Sequence, residues 1–321
     1  MSSQDLNRIL VLEVVRVTEA GAIAASKWNG RGDEKAADAA AVEAMRKAFN
    51  KLPIDGTVVI GEGERDEAPM LYIGEKVGAG GPKVDIALDP LEGTTICAKA
   101  MPNALAVLAI SAEGGLLNAP DVYMDKIAVG GGLPEGIIDL DKSPSENVRA
   151  VAEAKGKAIG EMTVCVLDRP RHAALIRELR ELGCGVALIG DGDVAGVIAT
   201  TDAGTGIDLY MGSGGAPEGV LAAAALRCIG GQMQGRLLFR NDDERGRAAK
   251  WGIEDLNRKY SLMDLASGDV IFAATGVTDG SMLRGVHRDA NGCYTTETVT
   301  MRSKTKTIRR VQSIHGPDGR Q

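Results

Sequence analysis

Apolar residues recur along the first fifty positions with the spacing of a helix face. Leu6, Ile9, Leu10, Val14, Val17 and Ala24 lie on or near one stripe, which predicts an amphipathic helix from Leu6 to Lys27. The polar, glycine-rich segment from Trp28 to Asp33 breaks it. Asp33 is placed to cap a second helix reaching about Asn50, with Val42, Met45 and Phe49 as its stripe. Asp38, four residues before Val42, sits at the head of that buried face, where a carboxylate can simply complement the positive helix end. The pattern then changes to short β-branched runs. Thr57–Ile60 ends in Gly61-Glu62-Gly63-Glu64, and Val84–Leu88 ends in Asp89-Pro90-Leu91-Glu92-Gly93-Thr94-Thr95. Both runs are bounded by turn residues and read as buried strands. Ala104–Ser111 reads as a third.

Residues 116–141 read as loop-rich, and a polar segment from Asp141 to Glu146 leads into a helix ending near Lys155. A lobe boundary is expected at Gly156–Gly160, giving a first lobe over 1–158 and a second over 159–321. The second half repeats a strand–turn–helix pattern three times. Its strands are Met162–Leu167, Val186–Ile189 and Ile207–Met211, and their following turns carry Arg169-Pro170-Arg171-His172, Asp191-Gly192-Asp193 and Ser213-Gly214-Gly215. Units of this length imply a largely parallel sheet, whose ligands bind beyond the strand C-termini. Arg169, Arg171, Asp191, Asp193 and Glu218 are thereby aimed at one edge. Residues 241–260 read as an exposed helical excursion. Asp269–Ala274, Val286–Arg288, Tyr294–Met301 and Thr305–Ile314 read as strands, with Asn291-Gly292 a turn and a loose tail after His315.

Composition narrows the class. A chain of 321 residues with 44% hydrophobic but only 3% aromatic residues must build its core from Ala, Val, Leu and Ile. With 42 glycines, this favours an α/β fold rich in tight turns. A net charge of −7 argues against nucleic acid as a partner, so an anionic substrate would have to be met by local cations or an arginine cluster. The five cysteines show no CxxC or paired spacing, which fits a reducing cytoplasmic compartment. The first residues lack a signal-peptide pattern, and no apolar run reaches membrane-spanning length.

The strand ends carry the chemistry. Glu62, Asp89 and Glu92 crowded at two strand ends would repel one another unless cations sat between them. Hard oxygen donors without cysteine or histidine suit Mg²⁺ or Mn²⁺ rather than Zn²⁺. Gly61-x-Gly does not complete a dinucleotide loop, because Asp66 stands where the last glycine belongs. Ser213-Gly214-Gly215, followed by Pro217 in a helix first turn, can receive an anion; alternatively the glycines only permit a tight turn and Glu218 complements the dipole. Arg169 and Arg171 at a strand end favour phosphate binding. His287 and His315 read as structural, and Asp125 and Lys126 as loop charges.

At Asp89-Pro90-Leu91-Glu92-Gly93-Thr94 the chain resembles the lithium-sensitive, metal-dependent phosphatases that include inositol monophosphatases. It is more closely similar to the bacterial class II fructose-1,6-bisphosphatases, through GRGDEKAAD, IDGTVVIGEGERDEAPMLYIGEKVG, NAPDVYM, DRPRH, DGDVA, GGAPEGV and TIRRVQSIH. The resemblance implies an α/β fold, a layered αβαβα sandwich of two lobes with the active site between them. It implies Asp38 and Glu62 as ligands of one divalent metal, Mn²⁺ or Mg²⁺, and Asp89, Glu92 and Glu218 as ligands of a second. Substrate contacts are implied for Glu92, Gly93, Thr94, Tyr123, Arg169, Pro170, Arg171, Asp191, Gly192, Asp193 and Gly215, and water activation for Asp66 and Thr94. The implied partner is a small sugar bisphosphate, and the implied state is a homo-oligomer, dimer or tetramer. Some family members have Lys after Gly-Asp where this chain has Glu34 and then Lys35, so no role is carried over to a lysine there. Two other readings stand beside fructose 1,6-bisphosphate hydrolysis: action on sedoheptulose 1,7-bisphosphate, and a non-catalytic sugar-phosphate sensor.

Overall fold

The computed structural model describes residues 6–63 and 70–317. The helical spacing of the N-terminal segment becomes α1 (Leu10–Ser26), followed by α2 (Glu34–Phe49). Asp33 caps α2 as its position implies, its carboxylate accepting the Ala36 N–H at 2.9 Å. The β-branched runs become β1 (Asp55–Ile60), β2 (Lys76–Val77) and β3 (Lys83–Glu92), then α3 (Thr94–Ala98), β4 (Leu105–Ala112) and β5 (Tyr123–Gly130). Next come α4 (Pro144–Lys155), β6 (Thr163–Leu167), α5 (Ala173–Leu182), β7 (Gly185–Ile189), α6 (Asp193–Ala199), β8 (Leu209–Gly215), α7 (Ala216–Ile229) and β9 (Gly231–Leu238). The chain finishes with α8 (Asp242–Lys250), β10 (Lys259–Ser261), α9 (Leu262–Leu265), β11 (Val270–Gly276), β12 (His287–Arg288), β13 (Tyr294–Arg302) and β14 (Thr307–His315).

The chain divides into two compact units, Met1–Leu116 with Gly268–Gln321, and Leu117–Ser267. The boundary expected near residue 158 falls inside the second unit, between α4 and β6. The C-terminal strands belong with the N-terminal helices because α1 packs on β11 and β13. A buried ion pair pins them: Arg302 meets Asp269, donates to the Leu6 carbonyl at 2.7 Å, and Asp269 accepts the Leu6 N–H at 3.2 Å. Leu6 is therefore buried without being helical. Ile9, expected on the apolar stripe, is 63% exposed at the helix start.

The first unit holds an eight-stranded sheet in the order β12-β13-β11-β4-β3-β1-β2, with β14 on β13. Strands β1 and β3 run parallel, and the remaining pairs are antiparallel. Val58, Ile86, Leu108, Ile110 and Ile271 meet Val14 and Val17 of α1 and Met45 and Phe49 of α2 in one core. Pro90 is tolerated in β3 because pairing with β1 ends at Ala87, so no ladder bond needs its missing N–H.

The second unit holds a six-stranded sheet, β10-β9-β5-β8-β6-β7. The expectation of a largely parallel sheet is overturned: β6 is parallel to β7 and β8, but β5, β9 and β10 pair antiparallel. The segment read as loop-rich contains β5, the strand between β8 and β9. Ile127, Val129, Val164, Val166, Leu209 and Met211 of the sheet pack with Val148 and Val151 of α4 and Leu179 of α5. Among the described residues no helix is long and apolar enough to cross a membrane.

Candidate active site

In the first unit, β1 and β3 are parallel neighbours whose last paired residues are Ile60 and Ala87. Glu62 and Asp89 each lie two residues further on, at adjacent strand ends. Beyond Asp89 the register of β3 against β4 shifts, so that Asp89 opposes Val107 while Glu92 opposes Leu105. This bulge re-aims the chain before α3. Glu92 is 3% exposed. Asp89 accepts the Leu91 N–H at 3.0 Å, which holds the turn. Gly93 caps α3 with φ of 86°, a conformation in which a side chain would be strained. The α1–α2 loop is tied to the same helix by Gly30 and Gly32 N–H bonds to the Cys97 and Ala98 carbonyls, each 2.9 Å.

Asp38 lies in the second turn of α2, half-buried, and its carboxyl is hydrogen-bonded to that of Glu62. Burial raises the Asp38 pKa. Glu62 is pushed up to about 8 by burial, then by the Asp38 charge and by their shared hydrogen bond. Two buried carboxyls in contact share a proton unless a cation replaces it. Asp38 is thus engaged across the chain with a strand-end carboxyl, which is more than complementing its own helix end.

The second unit aligns the other candidates. Because β8, β6 and β7 are parallel neighbours, the turns after them lie along one sheet edge. This edge carries Arg169, Pro170 and Arg171, then Asp191, Gly192 and Asp193, then Gly215 and Glu218. Arg171 donates to the Ser213 carbonyl at 2.6 Å and stacks on the Tyr123 ring at 4.8 Å, while Arg240 covers the same ring at 4.9 Å. Arg169 approaches Asp191 at 3.7 Å. A cavity of about 340 Å³ opens beside Arg171, with Lys142, Asn147 and Asp125 in its walls. The Ser213–Gly215 segment is not an open turn as the glycines imply. It is the end of β8, paired with Asp125, Met124 and Tyr123, and the Ser213 N–H donates to His172 Nε2 at 2.9 Å. His172 in turn donates from Nδ1 to the Leu167 carbonyl at 2.7 Å, and burial lowers its pKa, so it stays neutral and structural.

Lys126, read from sequence as a loop charge, is 1% exposed in β5. Its ammonium meets Asp193 and donates to the Gly215 carbonyl at 2.8 Å. Asp193, 5% exposed, is occupied by that pairing and by Tyr210 at 3.4 Å, leaving Asp191 as the half-exposed acid of its turn. Glu218 follows Pro217 in the first turn of α7, and its Oε2 is buried without a hydrogen bond among the described residues. Burial and the Asp193 charge raise its pKa to about 7 against the opposing pull of Lys126. A Cβ on residue 215 would lie 1.9 Å from Glu218 Oε2, so any side chain there would displace the Glu218 carboxyl. The one local hint of a strand around Lys126 is the apolar run Ile127-Ala128-Val129 that follows it; the lysine's own burial has no sequence signal.

A buried acceptor oxygen with no donor, and a pair of carboxyls forced to share a proton, are donor sets that fit hard divalent cations. Asp38, Glu62, Asp89, Glu92, Gly93 and Thr94 belong to the first unit; Tyr123, Arg169, Pro170, Arg171, Asp191, Gly192, Asp193, Gly215 and Glu218 belong to the second. Among the described residues no three Asp, Glu, His or Cys side chains are grouped closely enough to hold a metal. Asp66 lies outside the described residues. As expected, His287 and His315 have structural partners, Asp279 and Thr296.

Residues 8–315 match the family described as bacterial fructose-1,6-bisphosphatase, glpX-encoded. The chain belongs to this family. Fructose-1,6-bisphosphatase 1 class 2 of Escherichia coli (strain K12) is 51% identical over 97% of this chain and 96% of its own length. Fructose-1,6-bisphosphatase class 2 of Shigella flexneri matches to the same extent. Among solved structures, an inositol monophosphatase from Anabaena (Nostoc) sp. PCC 7120 covers 60% of this chain and 72% of its own, with a TM-score of 0.32 and 16% identity. Membership in the class 2 bisphosphatase family therefore rests on sequence shared over nearly the whole length.

Proposed function

We propose that this chain hydrolyses the 1-phosphate of fructose 1,6-bisphosphate to fructose 6-phosphate and inorganic phosphate, with Mg²⁺ or Mn²⁺ as cofactor. The observation that carries the reading is the family match over residues 8–315. Carboxylates at the adjacent ends of β1 and β3 support it. Asp38 and Glu62 would hold one cation, and Asp89, Glu92 and Glu218 a second. Held by these carboxylates, a divalent cation would supply positive charge against a phosphoryl group and would acidify a bound water. Thr94 and Asp66 orient that water and take its proton. Arg169 and Arg171 hold the far phosphate, and Arg171 is kept in place by Ser213 and the Tyr123 ring. The five cysteines are free, which supports work in a reducing compartment, the cytoplasm.

Arg171→Met is expected to raise KM by roughly 10–100-fold while kcat stays within a few-fold, because it removes binding to a group remote from the reacting bond. Steady-state kinetics check this; an unchanged KM with a collapsed kcat would place Arg171 at the reacting phosphate instead. The function itself is tested by phosphate release from fructose 1,6-bisphosphate, sedoheptulose 1,7-bisphosphate and inositol phosphate, each with Mg²⁺, Mn²⁺, Li⁺ or EDTA. Release from fructose 1,6-bisphosphate with Mg²⁺ or Mn²⁺, lost in EDTA, is the expected result. No release from either bisphosphate with either cation would overturn the proposal and return the chain to the class of sugar-phosphate sensors.

A further inference from the structure

Leu71 is fully buried and lies in the left-handed region, with φ of 55°. A bulky side chain rarely accepts that conformation, and where one does its surroundings hold it there. The surroundings of Leu71 are specific. Its N–H donates to Glu75 Oε2, and its carbonyl accepts the Glu62 N–H at 3.0 Å. The Glu75 carbonyl accepts the Val58 N–H at 3.0 Å, which ties the turn after Leu71 to β1, the strand that leads into Glu62. Gly61 permits the close approach, since a Cβ there would lie 2.0 Å from the Leu71 carbonyl oxygen.

The other oxygen of Glu75 meets α2. Glu75 Oε1 accepts from Arg46 Nε at 2.5 Å, with both side chains mostly buried. Arg46 also donates to Asn50 at the C-terminal end of the helix. A continuous path of polar contacts therefore runs from α2 through Arg46, Glu75 and Leu71 to the main chain of Glu62. The same helix carries Asp38, whose carboxyl is hydrogen-bonded to that of Glu62. Glu62 is thus fixed to α2 twice, at its carboxyl by Asp38 and at its backbone by this path. The left-handed leucine costs stability, and strain of that kind persists where it places a functional group. We propose that Glu75, held by Arg46, is a positioning residue for a cation bound by Asp38 and Glu62. It fixes the Leu71 carbonyl, which sets the main chain of Glu62 and so the direction of its carboxyl. Glu75 is not itself a ligand, because both of its oxygens are engaged by Arg46 and the Leu71 N–H. The inference rests on the reading of Asp38 and Glu62 as cation ligands.

Mn²⁺ binding to the substrate-free protein, followed by calorimetry and by the paramagnetic resonance of free Mn²⁺, tests the role apart from turnover. Asp38→Asn identifies the binding step that belongs to this carboxyl pair. Glu75→Ala should weaken that step by roughly 10–100-fold, the usual effect of removing a group that orients a metal ligand. Glu75→Gln keeps an acceptor oxygen for the Leu71 N–H and should lose less. Gly61→Ala displaces the Leu71 carbonyl from the other side and should weaken the same step with Glu75 intact. These two variants carry the comparison if Glu75→Ala does not fold. In phosphate release, Glu75→Ala should recover most of its kcat at saturating Mn²⁺, with an unchanged KM for fructose 1,6-bisphosphate. Ile110→Val loosens the core of the same unit away from this path, so it should lower melting and leave Mn²⁺ affinity alone. Glu75 and Gly61 variants that melt lower but bind Mn²⁺ as wild type does would overturn the proposal and leave the phosphatase reading standing. A wild-type chain that binds no Mn²⁺ would overturn both.

Discussion

Glu218→Gln is expected to lower phosphate release by on the order of 10³-fold while making the metal-free protein harder to melt at pH 8. The two effects have opposite signs because the carboxyl proposed as a cation ligand sits in a place that disfavours its charge. Burial and the neighbouring Asp193 carboxylate push the Glu218 pKa from 4.5 to about 7. A carboxyl raised on folding contributes its full stability below its unfolded pKa and loses it as pH climbs through the folded value. For Glu218 that window runs from pH 4.5 to about 7, and the gap corresponds to about 3 kcal/mol at its upper end. Glu62, raised to about 8, extends the same trend upward. Metal-free wild type should therefore melt lower at pH 8 than at pH 6, and Glu218→Gln should flatten that dependence. Adding Mg²⁺ or Mn²⁺ should raise the wild-type melting temperature at pH 8 and move the variant much less. The activity loss follows from removing a charged donor worth several kcal/mol of transition-state stabilisation. Scanning calorimetry at the two pH values, with and without cation, checks all of it. A variant with wild-type turnover would remove Glu218 from the metal site, and a variant no more stable at pH 8 would remove the burial argument.

The parts of the fold that were legible in the sequence are those in which local chemistry and tertiary role agree. Asp33 caps α2 because its type and position allow nothing better, and the β-branched runs before Glu62 and Asp89 are strands for want of any other way to bury them. The Asp89–Thr94 segment announced itself through proline, glycine and two acids in six residues. The strand read as ending at Leu88, however, runs on through a bulge to Glu92 before Gly93 turns the chain into α3. What stayed hidden was the middle of the second sheet. Strand β5 carries Asp125 and Lys126 in its interior, and charges in a central strand look like loop until a partner is known. Asp193, which satisfies Lys126, is 67 residues away. Strand β9, with Gly231, Gln232, Gln234 and Gly235, has too little apolar alternation to be recognised alone. Its glutamines serve a loop, accepting the Gly136 and Leu140 N–H groups at 2.9 Å each, and Gly235 is small because a Cβ there would lie 2.5 Å from the Met124 sulfur. Once two antiparallel strands are inserted beside β8, the parallel sheet expected from three strand–turn–helix units cannot extend past it.

The same hidden pair yields the second large effect. Lys126→Met should destabilise the protein by about 3–5 kcal/mol, the usual cost of removing one partner of a buried ion pair. The methionine side chain fills similar volume, so the loss is electrostatic rather than a cavity. Lys126 lies between the Asp193 carboxylate and the Gly215 carbonyl, and its charge also opposes the upward shift of Glu218. Without it the Asp193 and Glu218 carboxyls remain buried with no counter-charge from this lysine, which costs free energy unless water enters or Glu218 stays protonated. Melting followed by circular dichroism should show a fall of roughly 10 °C at pH 8 and a smaller one at pH 5.5, where protonation relieves the repulsion. Adding Asp193→Asn to Lys126→Met should recover part of the loss, because the charge left alone is then gone. The activity of the double variant separates two roles for the pair. If it recovers stability and turnover together, the ion pair only supports the strand–helix junction before Glu218. If stability returns while turnover stays low, Asp193 also acts on substrate or on the Glu218 carboxyl. A single Lys126→Met variant that melts within a degree or two of wild type would show that the charge balance around Asp193 and Glu218 does not depend on Lys126.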